Sequence, residues 1–525
     1  MIHYFHYLNE SGDFVADIVE TLVNNNAELV KQLTEVNKKN EQLQQQITYL
    51  NELISEMNRK LFGKSKEVIT EDGQLSLFEE AVPSAPINND AVTEVSNYKR
   101  KSKGTKADKL AHFPTEIIEQ ELTHDECNCE NCGNAMIDMG SVEARSELNF
   151  IPAVIKRRIY RQHSYVCKSC ERKGITSIKK ASVPKPLISN SLGSSSIVAE
   201  TIIQKFQQKV PAYRQEKYWQ SLGLEIKRDN ICNWQIISSE QVLRSIYDML
   251  HEEIIKQDII HADETSYQVI QSNKVKTYYW QFCSGKVAER QIVLYHHAEC
   301  RGHEVPLKFL DGFTGYLNCD GWGAYHLLPN ITLVACAAHI RRKFYEAIGN
   351  KKNPNQSSPA YVGYAYWQKM FQLEKRWRDL VPSERFVHRQ SELKPIMDEF
   401  WQWLENLNAL PHSKLGRAAE YAAKQRHGIM EVLNDGRLEF SNNKAERMIK
   451  ELVMGRKNWL FSTSLKGAQS NGIILSIMKT AELQGLNVRK YLNFLFTEIP
   501  NLAIVDHETL ADYVPWSAKA QLNCK

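Results

Sequence analysis

The sequence predicts a multidomain protein of the α+β class, and three observations support this prediction. The chain has 525 residues, which at roughly 100–200 residues per domain corresponds to several folding units. Its first part carries a heptad repeat, and its later part carries short strand patterns mixed with helical patterns. With 42% apolar and 24% charged residues, the chain can bury hydrophobic cores, which excludes wholesale disorder and collagen-like or mucin-like classes.

Composition also limits the setting in which we expect the protein to work. No run approaches the roughly 18 consecutive apolar residues of a membrane span, and the N-terminus does not have the pattern of a secretory signal. We therefore expect a cytoplasmic, nucleoid-associated protein without a membrane partner. Eleven cysteines are an odd number, which argues against a disulfide framework and favours spaced pairs as metal ligands. A net charge of +4 is too small to indicate nucleic-acid binding by itself.

The first segment is predicted to be a coiled coil. Apolar residues recur every seven positions from Val15 to Met57, and a second series offset by four runs from Val19 to Leu61. Asn26 and Asn40 occupy positions of that second series, where a buried amide fixes the register of a parallel dimer. The alternative is an amphipathic helix packed on its own domain. The pattern favours a homodimer or higher oligomer formed through this helix.

A linker with two contrasting halves follows. Residues 67–98 contain seven acidic residues and no Lys or Arg, and include Pro83 and Pro86, which is typical of a flexible linker. A basic tract of six Lys and Arg residues follows between Lys99 and Lys109. Such a tract can neutralise DNA phosphates, although a solvated charge run is an equally good interpretation.

Two cysteine pairs predict a structural zinc site. Cys129 and Cys132 form one Cys-x-x-Cys knuckle, and Cys167 and Cys170 form the second. A two-residue gap lets both thiolates of a knuckle reach one tetrahedral Zn²⁺. We expect a hairpin within 147–166 to bring the pairs together, and Cys127 is a spare ligand. A redox pair or buried free thiols are the alternatives.

Next comes the pattern of a helix-turn-helix. Helical stretches at 197–209, 213–221 and 227–237 are predicted, and Leu222-Gly223-Leu224 forms the turn between the last two. The last helix would contact DNA in the major groove. Its candidate contacts to phosphates or base edges are Lys227, Arg228, Asn230, Asn233 and Gln235. The alternative is an ordinary helical hairpin.

Three carboxylates follow in elements that can bring them together. A short apolar strand from Ile259 ends at Asp263, further strands are expected at 277–283, 291–295 and 332–336, and the strand from Gly315 ends at Asp320. Glu446 lies in the first turn of a helix after Ser441-Asn442-Asn443. Oxygen ligands suit Mg²⁺, and a pair of such ions can clamp the attacking and leaving oxygens in phosphoryl transfer. Equally, the aspartates could be turn formers and Glu446 part of a capping box.

The stretches around these acids resemble the transposases of the insertion-sequence-66 family, which belong to the wider group of acid-triad transposases. Matching motifs occur in the family's order over nearly the whole chain. They are Arg59-Lys60-Leu61-Phe62-Gly63, Gln74-Leu75-Ser76-Leu77-Phe78, both cysteine knuckles, His261-Ala262-Asp263-Glu264-Thr265, Asp320-Gly321-Trp322, 338–344, Asn442-Asn443-Lys444-Ala445-Glu446-Arg447, and 455–461. Ala337 and Ser441 depart from the family pattern, which usually has Trp and often an acid there.

The resemblance implies a ribonuclease-H-like α/β catalytic domain in which Asp263, Asp320 and Glu446 bind two Mg²⁺ or Mn²⁺ ions. Glu264 and Thr265 are expected to be neighbours rather than ligands. The complete prediction has six segments. They are a coiled coil at 1–65, an acidic then basic linker at 66–112, a zinc module at 113–182, a helix-turn-helix at 189–245, a catalytic domain at 250–500 with a helical insertion at about 346–436, and a tail at 501–525.

Several cations near the acids are candidates for DNA contact. The helix after the 332–336 strand begins with His339, Arg341, Arg342 and Lys343, which could hold phosphates, steady the acids or form an ordinary helix face. A second group follows Glu446: Arg447, Lys450, Arg456 and Lys457. The tryptophans of the insertion are expected to be core residues rather than platforms for bases.

The predicted function is that of a transposase that binds element ends and catalyses metal-dependent DNA cleavage and strand transfer. Its partners would be double-stranded DNA at the ends and target, with accessory proteins of the element as further candidates. One alternative is a non-catalytic DNA-binding or scaffolding protein derived from a transposase. Another is a ribonuclease-H-like hydrolase that cleaves RNA, which would not explain the helix-turn-helix.

Overall fold

The structure, a computed structural model, describes residues 2–62, 155–166, 178–349 and 355–525. The linker, the basic tract and all four cysteines of the predicted zinc site lie outside these residues. Within the described part of the chain, no helix combines the length and apolar character needed to cross a bilayer. Helices and a mixed sheet make up the described residues, so the α+β class is confirmed.

A single long helix, α1 (Ile2–Phe62), carries the heptad repeat. Its described heptad positions are exposed, including Leu29 at 61% and Ile47 at 58%. Asn26 and Asn40 are exposed as well. The described apolar side chains at heptad spacing are therefore not buried by the described parts of the chain.

A short hairpin brackets the second cysteine knuckle. Strand β1 (Ser164–Val166) pairs antiparallel with β2 (Ile178–Lys180), and Ser164 lies opposite Lys180. The partner of β1 thus follows Cys167 and Cys170 in the chain, whereas the prediction placed the hairpin within 147–166. Residues 155–163 form no strand.

Three helices form at the predicted helix-turn-helix: α2 (Ser195–Phe206), α3 (Ala212–Ser221) and α4 (Arg228–Ser238). The turn after α3 requires glycine, because Gly223 has a φ of +78°. A π-helical stretch at Ser239–Leu243 leads into α5 (Arg244–Ile255). The predicted helices are therefore present.

A five-stranded mixed sheet forms the centre of the later part. Its strands are β3 (Ile259–Tyr267), β4 (Thr277–Ser284), β5 (Val293–Ala298), β6 (Tyr316–Cys319) and β7 (Thr332–Ala335), with α6 (Glu304–Phe309) before β6. Their order across the sheet is β5-β4-β3-β6-β7. Pairs β5-β4 and β4-β3 are antiparallel, while β3-β6 and β6-β7 are parallel. The prediction that β3 ends at Asp263 is wrong, because the long antiparallel pairing with β4 continues to Tyr267.

Helices follow the sheet. These are α7 (Ala337–Ile348), α8 (Pro359–Arg376), α9 (Pro382–His388), α10 (Lys394–Glu405), α11 (Lys414–Met430), α12 (Asn443–Trp459), α13 (Leu465–Leu483), α14 (Val488–Glu498), α15 (His507–Leu510) and α16 (Ala518–Cys524). Gly485 lies between α13 and α14 with a φ of +75°, a conformation that ends a helix readily only at glycine.

Two hydrophobic cores hold these elements. One core joins α2 to α5 and α12 to α14 with the sheet. Here α13 packs so closely on β5 that a Cβ on Gly472 would lie 2.7 Å from the carbonyl oxygen of Tyr295. The other core joins α7 to α11 with β7, and Trp367, Trp377 and Trp401 are buried in it. These tryptophans are core residues, as predicted.

Candidate functional site: three acids and their supports

Asp263 and Asp320 meet at the centre of the sheet because β3 and β6 are parallel neighbours. His261 lies opposite Asn318 in the last pair of this ladder, and Asp263 and Asp320 each follow two residues later in the chain. Adjacent strands are about 4.8 Å apart. The backbone N–H of Glu264 donates to Oδ1 of Asp263 at 2.9 Å, and that of Trp322 donates to Oδ1 of Asp320 at 3.0 Å. Both carboxylates are thereby oriented by the backbone.

Glu446 reaches the same place from the first turn of α12. This helix packs against β3 and β4, and the Glu446 carboxylate interacts electrostatically with Asp263 and Asp320. The structure thus brings the three predicted acids together. The capping-box alternative for Glu446 is wrong, because the N-cap residue is Asn442 and its side chain makes no cap hydrogen bond.

The electrostatics of the three acids are unfavourable without a cation. Burial raises the pKa of Asp263 well above its usual range, and the neighbouring Glu264, Glu446 and Asp320 carboxylates raise it further. Burial likewise raises the pKa of Glu446, an effect that Arg342 opposes and Asp320 reinforces. Oε1 of Glu446 is buried and accepts no hydrogen bond. An arrangement of buried, mutually repelling oxygens is suited to binding positive charge.

The side chain of Asn442 ties the start of α12 to β3. Its amide nitrogen donates to the Ala262 carbonyl at 2.7 Å, and its Oδ1 lies 3.0 Å from Nδ1 of the buried His261. The backbone N–H of Asn442 points to Sγ of Cys336 at 3.1 Å. Three anchors within four residues of Glu446 fix this carboxylate relative to Asp263. Asn442 stands in one of the family-like motifs, but this anchoring role was not predictable from the motif alone.

Glu264 occupies a different environment from Asp263, as strand alternation predicts. Its carboxylate accepts from Nε of Arg301 at 2.9 Å and from the Tyr325 hydroxyl at 2.7 Å. The Arg301 guanidinium stacks 3.7 Å from the centre of the Trp322 ring. Burial still raises the pKa of Glu264. Glu264 therefore has protein partners for both oxygens.

Around Glu446 lie two side chains from α7. Nδ1 of His339 is 3.8 Å from Oε1 of Glu446, and Nη2 of Arg342 is 3.8 Å from Oε2. Burial, together with Arg342 and Lys343, lowers the pKa of His339 to about 4. His339 is therefore neutral near pH 7 and has a lone pair available on its ring.

The predicted DNA-contacting residues fall into two groups. Lys227, Arg228, Asn230 and Asn233 are exposed around the start of α4, and Arg447, Lys450 and Lys457 are exposed on α12. Others are engaged within the protein. Arg341 stacks on Phe371 at 4.1 Å, and Arg456 donates to the Ser266 carbonyl. The prediction for Gln235 is wrong, because this residue is buried and donates to the Thr201 carbonyl at 3.2 Å.

Comparison with known proteins identifies the family. Residues 190–470, which include all three acids, match the family described as "Transposase IS66 family". The chain belongs to this family. Residues 126–171, which include all four cysteines, match "zinc-finger binding domain of transposase IS66", and residues 49–118 match "Transposase C of IS166 homeodomain". These matches support a DNA-processing protein with structural zinc and DNA-binding segments.

Three relatives from Sinorhizobium fredii (strain NBRC 101917 / NGR234) are similar along most of their length. Uncharacterized protein y4jD is 23% identical and covers 91% of this chain and 96% of its own. Uncharacterized protein y4hP is 25% identical over 77% and 74% of the two chains. Uncharacterized protein y4qI is 26% identical over 73% and 72%. The similarity to each of these relatives thus extends over more than 70% of both chains.

Proposed function

We propose that this IS66-family transposase cleaves DNA at the ends of its element and joins the freed 3′ hydroxyl to target DNA. The observation that carries this proposal is that Asp263, Asp320 and Glu446 lie close enough to interact electrostatically: the carboxylates of Glu446 and Asp320 raise the pKa of Asp263, and that of Asp320 raises the pKa of Glu446. All their donor atoms are carboxylate oxygens, which fit Mg²⁺ or Mn²⁺. We further propose that the five-stranded sheet is the core of a ribonuclease-H-like catalytic domain.

The chain's own residues supply position and charge at this site. Divalent cations bound there would activate water and neutralise charge on the phosphoryl oxygens. Asn442 holds the start of α12 against β3, so that Glu446 keeps its place beside Asp263. Arg342 approaches Glu446 from the α7 side and is 38% exposed, so it can also reach a phosphate.

DNA binding is proposed for the segments that lie before the catalytic domain. Exposed Lys227, Arg228, Asn230 and Asn233 would contact the element end, and the zinc module, with Cys129, Cys132, Cys167 and Cys170 as ligands, and the basic tract would add phosphate contacts. On the catalytic side, Arg447, Lys450 and Lys457 are exposed along the helix that carries Glu446. They would hold the backbone near the scissile bond.

The exposed heptad face of α1 supports a coiled-coil dimer. Two subunits joined in this way could hold two element ends together. We propose the six segments of the sequence analysis as the domain organisation.

A cleavage assay on DNA carrying an element end tests the proposal. With Mg²⁺, the wild-type protein should nick this DNA, while Asp263→Asn, Asp320→Asn and Glu446→Gln should each lose at least about a hundredfold in rate, since several kcal/mol of charge stabilisation are removed. All three variants should bind the end as the wild type does. Glu498→Gln, which changes a half-exposed acid on α14 that lies 3.5 Å from Lys519, is the matched control and should cleave normally.

Two results would contradict the proposal. Binding of element ends without cleavage by the wild-type protein would favour a non-catalytic DNA-binding protein. Cleavage of RNA–DNA hybrids in preference to element ends would favour an RNA-cleaving hydrolase.

DNA binding is tested separately. Arg228→Ala should weaken binding by severalfold and reduce the slope of log K against log salt by about 1 if Arg228 contacts a phosphate. Lys424→Ala, an exposed lysine on α11, should change neither quantity. An unchanged salt slope in Arg228→Ala would remove α4 from the proposed DNA surface.

A further inference from the structure

One further cluster of potential ligands adjoins the acids and has a different donor chemistry. Cys336, His339 and Glu446 each offer an atom, and these three atoms lie within 4.8 Å of one another. Cys336 is the N-cap of α7, and His339 follows one turn later, so a Cys-x-x-His spacing places both side chains at the same helix end. Sulfur, imidazole nitrogen and carboxylate oxygen together are a donor set typical of Zn²⁺.

Two of these atoms lack any partner although they are buried. Nδ1 of His339 and Oε1 of Glu446 are both inaccessible to solvent and form no hydrogen bond. Their separation of 3.8 Å is too long for a hydrogen bond. Two zinc bonds of roughly 2.0–2.2 Å span up to about 4.2 Å, so one cation can contact both atoms. Arg342 approaches the other oxygen of Glu446, Oε2, which leaves Oε1 available.

The sulfur is placed to act as the third ligand. Cys336 is buried, and backbone N–H groups of Asn442, His339 and Ala338 are directed to its Sγ. Burial and the Glu446 carboxylate raise the pKa of Cys336 and keep the thiol protonated in the absence of a cation, whereas these N–H groups favour negative charge on the sulfur. A cation bound here would take the place of the thiol proton.

We propose that Cys336, His339 and Glu446 form a zinc-binding site whose occupation withdraws Glu446 from Asp263 and Asp320. Three protein ligands leave the fourth position of a tetrahedral ion open. Since Glu446 is common to both sets of donors, Zn²⁺ bound by this set competes with Mg²⁺ bound by the acids. Zinc is then an inhibitor of the transposase. The inhibitory effect rests on the proposed cleavage activity, whereas the binding site itself does not.

Metal content measured on the full-length protein tests the binding site. After equilibration with buffered free Zn²⁺, the zinc per chain is measured for the wild type, Cys336→Ser, His339→Asn and Cys524→Ser. The cysteine module is common to all four. Wild type and Cys524→Ser, the matched control with a buried cysteine far along the chain, should hold one ion per chain more than the other two. Equal zinc content in all four proteins would overturn the proposal.

Cobalt provides a second readout that does not depend on the number of zinc ions per chain. On replacing Zn²⁺ with Co²⁺, the sulfur-to-cobalt charge-transfer band of the wild type should exceed that of Cys336→Ser and equal that of Cys524→Ser. His339→Asn leaves all cysteines in place, so its spectrum remains informative if Cys336→Ser misfolds. Its visible cobalt bands should be shifted relative to those of the wild type. Identical spectra for wild type and His339→Asn would also overturn the proposal.

Failure of this inference can be told apart from failure of the cleavage proposal. Asp263→Asn lacks the proposed cleavage site but should keep the additional zinc ion, whereas Glu446→Gln should lose it. In the cleavage assay, micromolar Zn²⁺ should inhibit the wild type, and the inhibition, relative to each protein's own zinc-free rate, should decrease by at least tenfold in Cys336→Ser. Equal inhibition of both proteins would contradict competition for Glu446.

Discussion

Strand β3 carries two neighbouring carboxylates in opposite situations. Glu264 is almost fully buried, with Arg301 and the Tyr325 hydroxyl on its oxygens. Asp263, on the other face, has one backbone hydrogen bond and otherwise faces further acids. A buried charge with partners contributes to the fold, whereas buried charges of like sign cost stability. The like charges around Asp263 therefore lower the stability of the folded state, which is typical of a functional site.

A buried charge in the helical insertion, by contrast, has several hydrogen-bond partners within the protein. Arg389 is fully buried, and its guanidinium contacts both oxygens of Glu374 at 2.7 and 2.9 Å. It also donates to the carbonyls of Val432, Asp435 and Leu438. Arg389 thus has several partners for its buried charge, in contrast to Asp263, whose neighbours are further acids.

The largest effect that can distinguish Asp263 from Glu264 is the effect of Mg²⁺ on the free energy of unfolding. Since the ion would bind the folded state only, free Mg²⁺ at roughly 100 times its Kd should stabilise the wild type by about 2.7 kcal/mol. Asp263→Asn should lose most of this gain. The measurement is urea unfolding with and without Mg²⁺, with the cysteine module loaded with zinc throughout. Equal stabilisation of both proteins would mean that Mg²⁺ binds elsewhere.

On the other face, Glu264→Gln should destabilise the protein by about 2 kcal/mol, because the Arg301 contact loses its counter-charge while the site stays buried. Urea unfolding at pH 7 measures this change. Glu420→Gln, on the exposed face of α11, is the control and should leave the unfolding midpoint unchanged. If Glu264→Gln leaves the free energy of unfolding unchanged, the two faces of β3 do not differ as described.

Removing the Asn442 side chain, which ties the start of α12 to β3, should change the stability by an intermediate amount. Asn442→Ala removes the hydrogen bonds to His261 and the Ala262 carbonyl and should cost about 1.5 kcal/mol of stability. It should also slow cleavage by roughly tenfold, because Glu446 is less firmly positioned. Asn458→Ala changes an exposed asparagine at the other end of α12 and should alter neither quantity. Normal cleavage by Asn442→Ala would separate the anchor from function.

The smallest effect is expected for Asp263→Asn in the presence of a Mg²⁺ chelator, and it has the opposite sign. Removing one of the repelling charges should stabilise the protein by on the order of 1 kcal/mol at pH 7. The raised pKa of Asp263 means that the folded state binds more protons, so the wild type loses stability as pH rises from about 4 through this raised pKa. The advantage of the variant should therefore grow with pH. If Asp263→Asn is no more stable than the wild type at pH 7, the proposed repulsion between Asp263 and its neighbouring acids is contradicted.

Much of the fold and the candidate site was predictable from local patterns. Heptad spacing predicted α1, and the turn at Gly223 with its flanking periodicity predicted α3 and α4. Alternating apolar runs predicted all five strands of the sheet approximately. The end of β3 was missed, because the pairing of Glu264 to Tyr267 with β4 depends on a strand that follows in the chain. Gln235 was misassigned for a similar reason, since burial against α2 cannot be seen in its own helix.

The sequence by itself determined the candidates for the chemistry: Asp263, Asp320 and Glu446 stand in motifs that resemble those of the IS66 family, and their element types follow from short-range periodicity. Only the tertiary structure decided how these residues meet. Parallel pairing of β3 with β6, and the Asn442 contacts that hold α12 on β3, bring together groups up to 183 positions apart. The same packing placed His339 and Cys336 beside Glu446. Periodicity reports on neighbours along the chain, whereas burial and charge repulsion arise between segments that become neighbours only on folding.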